Sequence, residues 1–302
     1  MNDKKLSFDE QIEWLKNHNV KIQNESECGE YLKYKTYFYK IIGFIKSFNC
    51  DENIEITTFE QLVDIASIDM ELRYFLLRVC LDVEHWIRAY ILRIITNNPE
   101  EDGYHIVQKV LSRDENPVEF KQKLFSSVSY IDENGEFQVQ PEYKEVFDNP
   151  PIWTVMEVCS FGKLRSFVEY LSEERPNNHD LAQIKYCFKY INKLRNYCAH
   201  NRKIITGRIY YTHNLRVPHV LFSTLRSDRF DKEDIKTEAL LQIMLVIRMH
   251  KKLCSSISNS YRKDEFENLL KRIDREKEWY DDTVFEGFFT GLKKIYMIYW
   301  NR

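Results

Sequence analysis

A chain of 302 residues with 43% hydrophobic and 30% charged side chains buries a substantial core, which excludes wholesale disorder. Its 8 Gly and 7 Pro argue against a loop-rich or β-sandwich fold. A formal net charge of −3 and a pI near 6.3 exclude a uniformly basic nucleic-acid binder, so any affinity for phosphate must reside in a patch.

Ser7-Phe8-Asp9-Glu10 has capping-box spacing and predicts a helix through Ile12 and Leu15. An amphipathic run over about 26–48, rich in Tyr31, Tyr34, Tyr37, Phe38 and Tyr39, predicts a second, and 49–56 reads as a polar connector. From Thr58 to about Asn97, Leu62, Ile65, Leu72, Leu76, Val79, Val83, Ile87 and Ile91 recur at helical steps and predict a long helix, with a possible break at 66–69. Turn signals at Asn116-Pro117, Asp132-Glu133-Asn134-Gly135 and Asn149-Pro150-Pro151 mark 114–150 as an irregular, exposed insertion with a short hairpin. Residues 153–160 and 163–172 read as helices hinged at Phe161-Gly162, and 180 to about 200 as another. Beyond an irregular stretch at 207–218, residues 232–257 and the segment from Glu265 to the C-terminus read as helical.

The expected fold is therefore all-α, a helical bundle with additional N- and C-terminal helices and one irregular insertion. It divides into an N-terminal helical region (1–57), a helical domain (58–258) and a C-terminal extension (259–302). Seven cysteines form no C-x-x-C pair, so reduced core thiols are expected rather than disulfides or a zinc site, and no cofactor is implied. The N-terminus runs into a charged helix without an apolar leader, and no stretch has the apolar length of a membrane span. A soluble cytoplasmic protein is expected.

Residues 181–227 contain no Asp or Glu but carry Lys185, Lys189, Lys193, Arg195, Arg202, Lys203, Arg208, Arg216 and Arg226. Against an acidic whole, this is a local basic field around an Arg and a His, which is what a phosphodiester-handling site requires. An Arg and a His parted by four to six residues occur three times, in Arg195…His200, Arg78…His85 and Arg208…His213, and chance supplies roughly one or two such pairs, so spacing alone decides nothing. Helix geometry separates them. Leu181, Ile184, Phe188, Ile191, Leu194 and Cys198 form an apolar stripe, with Lys185, Lys189, Asn192, Asn196 and His200 opposite. Arg195 falls at the edge of the stripe, where a guanidinium needs a partner.

Leu194-Arg195-Asn196-Tyr197-Cys198-Ala199-His200-Asn201-Arg202 resembles the signature of the Abi-like (abortive infection, AbiD/AbiF-type) family, a bacterial branch of the HEPN superfamily. Three further blocks agree in order: Ser7 to Leu15; Leu72-Arg73 with Glu84-His85-Trp86-Ile87-Arg88; and Pro151 to Gly162 with its W-x-x-x-E-x-x-S-F-G pattern. The chain departs from the pattern at Lys203-Ile204-Ile205 and around Thr36-Tyr37-Phe38-Tyr39. The resemblance implies an HEPN-type bundle and a metal-independent endoribonuclease, toxin-like in antiphage defence. It would work as a homodimer with a composite active site, restrained by a protein or structured noncoding RNA antitoxin. In that reading the RNA 2′-OH is the nucleophile, His200 moves the proton, Arg195 stabilises the phosphorane and Asn196 fixes the imidazole or a phosphate oxygen. Products would be 2′,3′-cyclic phosphate and 5′-OH ends. Glu84 and Arg88 would support the site, Glu84 by pairing with Arg195; a plain i, i+4 salt bridge is the rival account. Lys185, Lys189, Lys193, Arg202, Lys203 and Arg208 would bind RNA, with no membrane or DNA partner. Two other readings stand beside this one: a non-catalytic RNA-binding module, and a helical protein-interaction factor with an acidic partner.

Overall fold

The computed structural model describes residues 5–36, 38–48, 57–205, 218–231, 234, 237–281, 283 and 285–300. These residues are predominantly helical, with fourteen α-helices and two very short sheets among them. They fall into two compact units, each discontinuous in sequence: 1–79, 194–251 and 255–302 form the first, 80–193 and 252–254 the second.

The first unit opens on α1 (Phe8–Asn17), started by the expected capping box: Ser7 Oγ accepts from Glu10 N at 3.2 Å and Glu10 Oε2 accepts from Ser7 N at 2.7 Å. The run expected as one helix over 26–48 is two, α2 (Glu25–Tyr34) and α3 (Phe38–Phe48). Periodicity carried across the polar Lys35-Thr36 step in the sequence, but the backbone ends α2 there. Between α1 and α2, β1 (Val20–Lys21) pairs in parallel with β2 (Thr57–Thr58).

Helix α4 (Phe59–Thr96) is unbroken for 38 residues and contributes to both units. The break anticipated at 66–69 does not occur, because Ile65, Ala66, Ile68 and Asp69 are all buried on its inner face. Ser67 Oγ donates back to Val63 O at 2.8 Å without interrupting the helix. In the first unit Phe75 stacks on Phe266 at 4.9 Å, and Trp300 meets Phe266 edge-on at 5.6 Å. That core is completed by α11 (His219–Ser227), α12 (Glu238–Leu253), α13 (Ser256–Asp274) and α14 (Glu286–Tyr299). Sequence periodicity had passed over α11, and had joined the start of α13 to α12. Ser255 ends that ambiguity by N-capping α13 through Ser258 N at 3.2 Å.

In the second unit, α5 (His105–Leu111) and α6 (Pro117–Leu124) precede the expected hairpin, β3 (Ser129–Ile131) against β4 (Phe137–Val139). Its turn is built on Asp132, whose Oδ1 accepts from Asn134 N and Glu136 N at 2.9 Å, with Gly135 at φ 80°. After α7 (Lys144–Phe147), α8 (Ile152–Val158) and α9 (Phe161–Glu174) are parted by extended Cys159 and Ser160. The hinge thus precedes Phe161-Gly162, which already belong to the first turn of α9. Phe161 packs on Phe188 of α10 (His179–Ala199) at 4.6 Å. The six described cysteines are buried and form no disulfide with one another, and no helix among the described residues is long and apolar enough to cross a membrane.

Candidate functional site

The apolar stripe of α10 is buried throughout, from Leu181 to Cys198, while Lys189 and His200 are exposed and Lys185, Asn192 and Asn196 half-buried. Packing that stripe leaves the polar side at the surface. Arg195, at the stripe's edge, is half-buried and turns its guanidinium onto its neighbour: Arg195 Nη1 donates to Asn196 Oδ1 at 3.3 Å. The two residues the sequence singled out are therefore joined. The His200 imidazole stands exposed at the helix end.

That end has a defined geometry. His200 is the last residue closed by a helical bond, its N–H reaching Asn196 O at 3.0 Å. Asn201 then adopts φ 54°, Asn201 N bonds to Cys198 O at 3.3 Å and Arg202 N to Tyr197 O at 2.9 Å. This is a Schellman closure with Asn in the left-handed position, a residue type that tolerates that conformation. The chain leaves the helix directly after His200 and turns back across its last turn.

Two residues without an assigned role in the sequence reading hold that turn, although Arg73 lies in the Leu72-Arg73 block. Asp69 and Arg73 of α4 are paired at 2.9 Å with side chains 0% and 1% exposed. Asp69 Oδ1 accepts from the backbone N–H groups of Ile204 and Ile205 at 2.8 and 2.9 Å, and Arg73 Nη1 donates to Asn201 Oδ1. A buried ion pair is viable only when its remaining hydrogen-bonding capacity is met. Here it is met by the segment that follows His200. Nearby charge also reaches Lys40: burial holds its amine below the usual lysine range, Arg73 acts in the same direction and Asp69 opposes. Burial pushes the Cys198 thiol up to about 12, so it stays protonated at neutral pH and is not a nucleophile.

The expected basic residues separate by what they touch. Lys189 and Arg202 are exposed, each over a neighbouring ring, Tyr190 at 4.8 Å and Tyr197 at 5.3 Å. Lys185 is paired with Glu173 at 3.2 Å, and Lys193 is half-buried. Lys203 Nζ donates to Gly43 O at 2.6 Å and lies over Phe44, so it is engaged in packing. Arg208, like His213, lies outside the described residues. Of the rival spacings, Arg78 pairs with Glu265 at 3.2 Å.

Glu84 and Arg88 belong to the second unit. Their i, i+4 pair closes at 2.7 Å, and Arg88 goes on to donate to Met156 O and, at 2.8 Å, to Cys159 O. Arg88 thereby serves the last carbonyls of α8, which no N–H of that helix can reach. Among the described residues, no cluster of three or more His, Cys, Asp or Glu has the arrangement of a metal site.

Fold and site together define an all-α protein with an Arg-Asn pair and an exposed His at the basic end of a helix. The family described as Abi-like protein matches residues 30–206, more than half of the chain and all of the site just described, and the chain belongs to it. That membership connects it with abortive infection. Neither the curated proteins nor the solved structures compared with the chain match it.

Proposed function

We propose that the chain is a metal-independent endoribonuclease of the HEPN type that acts as the effector of an abortive-infection system. The observation that carries this reading is the helix end itself: a guanidinium oriented by a side-chain amide, with an exposed imidazole one turn on, in a stretch free of carboxylates. RNA brings its own nucleophile, so the protein must supply a proton carrier and positive charge for the pentacoordinate phosphate. His200 takes the first role and Arg195 the second. Asn196, by accepting from Arg195 through Oδ1, leaves its amide N–H groups to donate to a phosphate oxygen. Lys189 and Arg202 extend the positive track for flanking phosphates.

Glu84 and Arg88 hold each other as an i, i+4 pair in the second unit. A single such centre per chain fits a homodimer in which two copies complete one site. An enzyme of this kind is restrained in healthy cells by an antitoxin, protein or structured RNA, and acts in the cytoplasm. The decisive experiment compares wild type with His200→Ala on RNA recovered from cells expressing each. Cleaved RNA with 2′,3′-cyclic phosphate ends is expected for wild type. Removing the proton carrier lowers the rate by about 10²–10⁴-fold. RNA bound equally by both and cut by neither would replace the nuclease with a phosphate-gripping RNA-binding module.

A further inference from the structure

The first unit holds a cavity of about 330 Å³ bounded by α2, the first turns of α4 and the segment at the end of α13, a size in the range of small-ligand sites. Tyr31, Phe59 and Trp279 give it aromatic walls, the first two rings meeting edge-on at 5.8 Å. Its charged lining is Glu27, Glu60, Asp64 and Glu276 against Arg272 and Arg275, four carboxylates to two guanidiniums, a formal excess of two negative charges. Asp64 is already committed, accepting from Arg272 and from Tyr280 Oη at 2.6 Å. Two other polar atoms of the lining residues are screened from solvent and have no hydrogen-bond partner: Glu60 Oε2, an acceptor, and Arg272 Nη1, a donor. Buried polar atoms are normally satisfied, so an unmet acceptor and an unmet donor on residues that line one aromatic-walled cavity describe a ligand that would complete them as the side chains turn to it.

We propose that this cavity binds a guanine base. Guanine presents N–H donors on one edge, suited to a carboxylate, and O6 and N7 acceptors on another, the atoms a guanidinium reads. Its flat face stacks on aromatic side chains as unpaired bases do. Adenine offers a carboxylate one exocyclic amine where guanine offers N1–H and N2–H together, and the carboxylate excess of the lining rewards the base richer in donors. The same excess keeps phosphate out of the cavity, so the base enters while its ribose and phosphate remain at the rim, where Arg275 is exposed. A free guanine nucleoside and a guanine turned out of single-stranded RNA present these same edges. The inference does not depend on the nuclease reading, since it concerns binding alone and other residues.

The test is calorimetric titration of the full chain carrying His200→Ala, which removes cleavage from the readout. Guanosine is expected to bind, with adenosine weaker by about tenfold or more, the equivalent of one hydrogen bond. Glu60→Gln, of nearly equal volume, and Trp279→Ala are each expected to weaken guanosine about tenfold while leaving the thermal midpoint within a few degrees of wild type. A uridine pentanucleotide with one central guanosine, set against its adenosine counterpart, separates the sources. Tighter binding than guanosine assigns the site to RNA, and equal or weaker binding assigns it to a free nucleoside. No heat with guanosine, or equal affinity for guanosine and adenosine, overturns the proposal. So does binding of spermidine alone that Glu60→Gln abolishes, which would make the cavity an amine cage. Should Glu60→Gln fail to fold, Trp279→Ala carries the same test.

Discussion

Two arginines of α4, one in each unit, do comparable work by opposite means. Arg73 pairs with Asp69 and Arg88 with Glu84, both at i, i+4, and each pair secures the end of another helix. In the first unit the carboxylate makes the tie, accepting two backbone N–H groups just beyond α10, while the guanidinium takes the Asn201 side chain. In the second the guanidinium makes it, donating to carbonyls at the end of α8. Burial differs as well: 1% and 0% exposure for the first pair, 17% and 13% for the second. The deeper pair stands beneath the helix end that carries His200. The exposed His200 thus ends a helix whose outgoing chain is held from below by two side chains that are themselves buried.

Arg73→Met is the severest test of that contrast. It leaves Asp69 charged and buried without its cation, which costs roughly 3–5 kcal/mol in urea unfolding. Arg88→Met, at a pair that water can reach, is expected to cost about 2 kcal/mol. Equal losses would show that burial does not set the difference. Asn201→Ala combines a lost hydrogen bond with a side chain forced to φ 54°, for about 1–2 kcal/mol. Asn201→Gly restores the backbone freedom and should recover part of that. If Gly proves no better than Ala, the left-handed cap is not what Asn201 provides.

The smallest effect emerges only in alkali. An unfolded Cys198 thiol ionises near 9.0 and the folded one near about 12, burial being the chief cause, with Asp69 adding and Arg73 opposing. The folded pKa is raised, so this contribution is intact below pH 9 and is lost as pH rises from about 9 towards 12, because the unfolded chain releases its proton first. Cys198→Ala should flatten the fall of the urea midpoint between pH 8.5 and 10.5, on the order of 1 kcal/mol. An unchanged slope would place the alkaline sensitivity elsewhere, Cys28 at about 11 being next in line.

What was legible in the sequence was whatever is encoded within one or two helical turns. The capping box at Ser7, the buried stripe of α10, the Asp132 hairpin turn and the Glu84–Arg88 pair all bring together residues close along the chain. The juxtaposition of Arg195 and Asn196 is of the same kind. Asp69 shows where such reading fails. In its Ala-Ser-Ile-Asp step it looks like part of a helix break, yet it is the acceptor for amides 135 and 136 residues away. Its partners carry no side-chain signature, because the donors are backbone N–H groups that every residue but proline possesses.

The amino-acid sequence by itself determined an all-α chain, the family to which it belongs and the position of a basic helix end, since periodicity, capping chemistry and a contiguous motif are local properties. Only the tertiary structure decided that α4 runs unbroken and that Asp69 and Arg73 grip the segment after His200. It also decided that Lys203 is drawn into packing on Gly43 and Phe44 rather than left on the basic track. Those outcomes depend on which distant backbone groups a buried charge can reach. A low-dielectric interior makes that the costliest question in the fold, and one that no local pattern answers.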